Sequence, residues 1–132
     1  MRTQARITAF KVIFASLFET EQKTENIDAE ILEYVNKEEK LNSKDIAFAR
    51  EITDAFFLNK NEVKTLINKS ITGYEIQRVY KVDLALIYLA ITEYKFLKTP
   101  KPIVVNEILE IAKIYSTDKS SNFINGVLAK ID

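Results

Sequence analysis

Arg2 and Arg6 lie four residues apart, a spacing that puts two guanidinium groups on one face of a helix. Lys11 follows about a turn and a half later, and no acidic residue occurs among the first 18. Guanidinium groups suit forked hydrogen bonds to phosphates and base edges. The plainer alternative is a solvated, basic helix end. Near the other terminus, Asn106, Glu107, Asn125 and Gly126 interrupt strongly apolar helical runs. A glycine inside a helix costs roughly 1 kcal/mol relative to alanine, and asparagine amides compete there for backbone hydrogen bonds. The expectation is that Gly126 permits close helix–helix approach and that the Asn106 and Asn125 amides, with Glu107, bond across the contact.

The remaining inventory excludes most catalytic chemistry. The 132 residues contain neither cysteine nor histidine. Disulfides, thiolate nucleophiles, zinc fingers and histidine-based triads are therefore ruled out. Gly73 and Gly126 are the only glycines, so no phosphate-cradling loop can form. No acidic loop has EF-hand spacing, and neither a metal site nor a cofactor is expected. What survives is binding. The net charge is zero, which argues against a generic polyanion binder, but the distribution is uneven. Residues 1–18 sum to +3, residues 19–42 to −5 and residues 43–82 to +2, with the remainder balanced. No apolar run approaches the roughly 18 residues of a membrane span. The first residues also lack a signal-peptide apolar block, so a cytoplasmic protein without membrane contact is expected.

The elements that position these residues read as helices throughout. Ile7, Phe10, Phe14 and Leu17 recur at three- and four-residue steps. Asp28 is a cap for a short helix with Ile31, Leu32 and Val35 inward. Ser43 caps a helix running to about Asn59, and Asn61 caps the next, which ends at Gly73. A long helix from near Val79 to Lys98 is apolar on several sides and is expected to be central. Thr99-Pro100-Lys101-Pro102 forces a turn, with Pro102 near the first turn of a helix reaching Tyr115. Ser116-Thr117-Asp118 precedes the last helix. Tyr74, Tyr80 and Tyr88 are the aromatic candidates for exposure. No linker, repeat or strand alternation divides the chain.

Several stretches together resemble the NusB family of bacterial transcription antitermination factors. They are Arg2-Thr3-Gln4-Ala5-Arg6 with Ala9 and Val12, Phe48-Ala49-Arg50-Glu51-Ile52, and Leu86-Ile87-Tyr88-Leu89-Ala90-Ile91-Thr92-Glu93. Pro100, Val105-Asn106-Glu107, Glu110-Ile111-Ala112-Lys113 and Phe123-Ile124-Asn125-Gly126-Val127-Leu128 complete the set. The resemblance implies a single all-α domain of about seven helices in two packed subdomains, roughly residues 1–72 and 73–132. It implies binding to the boxA element of nascent ribosomal RNA, together with the ribosomal protein NusE. The assembly would act on the RNA polymerase elongation complex, and a homodimer could mask the RNA surface.

By resemblance, Arg2, Gln4, Arg6, Lys119, Ser120 and Asn122 meet the RNA, while Arg78, Asp83 and Lys101 mark the partner surface. Replacing both Arg2 and Arg6 with alanine is then expected to weaken boxA binding and leave thermal stability nearly unchanged. The chain departs from the family pattern in having fewer N-terminal arginines, Tyr88 in place of an arginine, Thr92 in place of a tyrosine and Asn122 in place of a base. Fewer bases imply weaker RNA binding with a shallower salt dependence. Two other readings are a protein-interaction module whose RNA binding has decayed, and a detached NusB-like domain of an rRNA cytosine methyltransferase.

Overall fold

The computed structural model describes residues 2–18, 41–71 and 76–132. Within them lie six α-helices and no strand: α1 (Thr3–Ser16), α2 (Ser43–Leu58), α3 (Lys60–Ser70), α4 (Lys81–Ile91), α5 (Lys101–Tyr115) and α6 (Ser120–Ala129). A short 3-10 turn, Ile76–Arg78, leads into α4, and a wider π-helical turn, Thr92–Phe96, continues it. The all-helical class read from periodicity is the class observed. The expected helix behind Asp28, the break at Gly73 and the exposure of Tyr74 fall outside the described residues.

Helix α4 and its π-helical continuation are central. Every side chain from Asp83 to Tyr94 is buried, as expected for a helix apolar on all sides. Helix α1 packs against α2 and α4, while α6 packs against α4 and α5. One cluster of buried apolar residues, including Ile13, Phe56, Ile67, Leu89, Ile108 and Leu128, runs through all six helices. Tyr88 is buried, which pushes its phenol up to about 12. Tyr80, by contrast, is half exposed.

Two caps differ from the sequence reading. Asn42, rather than Ser43, caps α2, its side-chain oxygen accepting from the Asp45 N–H at 2.8 Å. Asn59, rather than Asn61, is the junction of α2 and α3. Its side-chain amide donates to the Ala55 carbonyl, and its own carbonyl accepts the Val63 N–H. A single residue thus closes one helix and opens the next.

The end of the α4 continuation is held by backbone geometry. Lys98 adopts a left-handed φ of 63°, and the Thr99 N–H returns six residues to the Glu93 carbonyl. The bond spans one residue more than the six-to-one bond of a Schellman motif, in keeping with the wider π-helical turn before it, and a non-glycine residue in the left-handed conformation carries a strain of roughly 1–2 kcal/mol. The strained turn delivers Thr99-Pro100 to the start of α5, where Pro102 sits in the first turn.

Among the described residues, the expected close contact at Gly126 does not form. Asn106, Asn125 and Gly126 are all solvent-exposed, and a Cβ built on Gly126 would meet no atom within 4 Å. These residues lie on the outer faces of α5 and α6, while Ile108, Ile124, Val127 and Leu128 face the core. Only Glu107, of the polar group singled out in these helices, bonds to another helix.

Candidate nucleic-acid interface

The start of α1 is built around Arg6. Its side chain is 7% exposed, and that of Glu93 is fully buried. The Arg6 Nε donates to both Glu93 carboxylate oxygens at 2.9 and 3.0 Å, and Nη2 donates to Oε1 at 2.6 Å. Nη1 reaches Glu107 Oε1 at 2.9 Å, and the Thr3 hydroxyl donates to the same oxygen. Burial works against the charged guanidinium. The hydrogen bonds and charge of Glu93, and then of Glu107, outweigh it, and the Arg6 pKa lies above its ordinary value. Arg6 therefore ties α1 to the start of the α4 continuation and to α5. It is not available to RNA, which corrects the sequence expectation. Removing one member of such a buried pair costs about 3–5 kcal/mol, because the other charge is left uncompensated.

Arg2 has the opposite environment. It is exposed, with its guanidinium carbon 4.0 Å from the centre of the Phe48 ring on α2. Arg6 lies 5.4 Å from the same ring. A cation–π contact at the solvent-exposed edge of the fold gains about 0.5–1 kcal/mol, which orders the Arg2 fork while leaving its N–H edge open. Gln4, two residues further on, is also exposed. Arg2, Pro102, Ile103 and Asn106 line an open cavity above the Arg6–Glu107 pair.

The start of α6 shows a similar division. Ser120 is 1% exposed and sits at the hub of a hydroxyl network. The Ser116 hydroxyl donates to Asp83 Oδ1, so its single proton is committed. Ser120 must then donate to Ser116 Oγ at 2.7 Å, and it accepts from the Thr117 N–H at 3.1 Å and the Thr117 hydroxyl at 2.9 Å. Ser120 thus closes the α5–α6 turn and is not exposed to RNA, a second correction. Lys119 and Asn122 flank it and are both exposed.

The two groups do not form one ledge. Thr3 and Arg6 meet Glu107, and Phe10 stacks at 5.4 Å from Tyr115, so α1 and α5 run side by side in the same direction. Arg2 consequently lies by the start of α5, and Lys119 follows its end. A helix of 15 residues separates the groups by roughly 20 Å. Lys11 lies 5.7 Å from the Tyr115 ring, beside the second group.

The expected partner residues also divide. Arg78 is exposed. Asp83 is buried and accepts from Ser116, so it anchors the α5–α6 turn from the start of α4. The Lys101 ammonium donates to the Ile131 carbonyl and lies 5.2 Å from the Tyr94 ring, while the Tyr94 hydroxyl donates to the same carbonyl at 3.0 Å. Lys101 therefore holds the C-terminal end against the body. Among the described residues no three acidic side chains come together as a metal site, and no helix is long and apolar enough to cross a membrane.

A family model described as the NusB family matches residues 3–132. The chain belongs to the NusB family. The transcription antitermination protein NusB of Listeria innocua is 42% identical over 85 residues, which span 64% of this chain and 66% of that protein, just under two thirds of its length. The protein of the same name from Clostridium botulinum is 33% identical, covering 98% of each chain. In a solved complex described as antitermination factors NusB and NusE with double-stranded RNA, one chain superposes with a TM-score of 0.85 at 26% identity, covering 97% of this chain and 92% of that one.

Within this NusB-family fold, sequence reasoning missed two residues that shape the site. Glu93 was visible only as the acidic end of a family-like stretch. Its signal was chemical: a carboxylate inside a largely apolar run needs a polar partner, and Arg6 is the cation that reaches it. Phe48 stands in the sequence as the first residue of the family-like stretch Phe48-Ala49-Arg50-Glu51-Ile52. Nothing in its spacing indicates that Arg2 lies over its ring.

Proposed function

We propose that this chain is an RNA-binding factor of transcription antitermination. In this reading it binds the boxA element of nascent ribosomal RNA together with the ribosomal protein NusE, and the assembly acts on the RNA polymerase elongation complex. Arg2, Gln4, Lys119 and Asn122 contact the RNA. Arg6 and Ser120 act from beneath, holding the two helix starts that carry those contacts. The exposed surface near Arg78 and Tyr80 takes the protein partner, and self-association over the RNA face would compete with RNA. The activity is binding in the cytoplasm, without a reaction step or a cofactor.

The observation that carries this reading is Arg2, exposed and held over Phe48 with its donor edge open, in a family whose solved relative is described bound to RNA and NusE. Exposed, pre-ordered guanidinium groups suit phosphates and splayed bases. The test is a titration of labelled boxA RNA with this protein, with and without NusE, at two salt concentrations. Binding should tighten with NusE and weaken with salt, and Arg2→Ala and Lys119→Ala should each reduce it. Absence of RNA binding at low salt with NusE captured would replace this reading with that of a protein-interaction module. The zero net charge favours that second reading.

A further inference from the structure

Gly126 weakens an exposed stretch of α6, and none of the described residues occupies the space its missing side chain leaves. That space is the floor of a groove of about 230 Å³ between the end of α3 and the outer face of α6. Ser70 and Ile71 form one wall, and Asn122, Phe123 and Lys130 form the other side. Among the described residues of the lining, Lys130 is the single charged one. The electrostatic complement of the groove is therefore an anion. A helix without a Cβ allows a ligand to approach the backbone closely. Asn122 belongs both to this groove and to the exposed group at the start of α6, so the two surfaces are continuous.

We propose that the groove seats a ribose–phosphate segment of the bound RNA, with the sugar over the bare helix at Gly126 and the phosphate against Lys130. The Asn122 amide supplies a hydrogen bond at the entrance. This inference rests on the RNA-binding reading above and extends its contact surface along α6. It also gives a reason for a glycine on a solvated helix face: an interior made without it would be more stable, and the groove would be filled.

The test uses the full chain with NusE and labelled boxA RNA, with thermal melts of each variant. Gly126→Ala should raise the melting temperature by about 2–6 °C, because alanine favours the helix. The same variant should bind RNA more weakly. Gly126→Gln, which fills the groove, should lose about tenfold in RNA affinity with NusE capture unchanged. Lys130→Gln should make the slope of log affinity against log salt shallower by about 0.7, as expected when one phosphate of a single strand is no longer neutralised. A Gly126→Gln protein that melts normally and binds RNA like the wild type would overturn this inference alone. Loss of NusE capture with RNA binding intact would overturn it in favour of a protein ligand. Failure of the wild type to bind RNA would overturn the functional reading and this inference together.

Discussion

The starts of α1 and α6 resemble each other in that each keeps two polar side chains outside while drawing one inside. At α1 the inward residue is Arg6, and at α6 it is Ser120. The cost of each choice differs. A buried guanidinium needs counter-charges, and it obtains them from residues 87 and 101 positions away. A buried hydroxyl needs only hydrogen bonds. Ser120 finds them within four residues, and Asp83 anchors the far end of its network. The α1 site is therefore a clamp between distant helices, and the α6 site is a local turn closure. An inward charge ties the local element to the whole fold, whereas an inward hydroxyl mainly stabilises its own corner.

The contrast can be broken most easily at Arg6. Arg6→Ala should lower the unfolding free energy by about 3–5 kcal/mol, read from denaturant melts, because Glu93 is left buried and unpaired. A decrease below about 1 kcal/mol, the range of an exposed ion pair, would mean that no clamp operates and that Arg6 is free to meet RNA. The expected outcome reverses the sequence-based expectation that the Arg2 and Arg6 double substitution spares stability. Arg6→Lys should fall between, since an ammonium keeps the charge but not the fork.

Ser120→Ala tests the local side of the comparison. It should cost about 1–2 kcal/mol, as for removal of a helix cap with buried partners. A cost equal to that of Arg6→Ala would erase the distinction between clamp and corner. The smallest stability effects belong to the outward residues. Arg2→Ala should change stability by no more than about 1 kcal/mol, the worth of its position over Phe48. Lys119→Ala should stay within about 0.5 kcal/mol. Each should nevertheless make the salt dependence of RNA binding shallower, by about 0.7 for every phosphate left without its cation. A variant that changes neither affinity nor salt slope would remove its residue from the interface.

Much of the fold was legible in the sequence because helix periodicity is a one-dimensional signal. The apolar spacing of Ile7, Phe10 and Phe14, and the all-round apolar run through α4, define helices and a central one among them without reference to neighbours. The positions of Pro100 and Pro102 locate a turn for steric reasons that are equally local. The site was less legible. Gly126 and Asn125 look alike in a string whether they lie under a neighbouring helix or face water. The apolar residues around them indicate a buried face but not on which side of it a given polar residue falls.

The amino-acid sequence by itself determined an all-helical chain, excluded thiol, histidine and phosphate-loop chemistry, and carried the family resemblance. Tertiary structure alone decided the roles of Arg2 and Arg6, four residues apart on one helix. Spacing fixes the direction in which a side chain leaves its helix, but not what lies there. The start of the α4 continuation and the first turns of α5 bring Glu93 and Glu107 over Arg6, while Arg2 lies one turn nearer the helix end, beside Phe48. Depth depends on where a partner helix crosses, and that information exists only once the helices are packed.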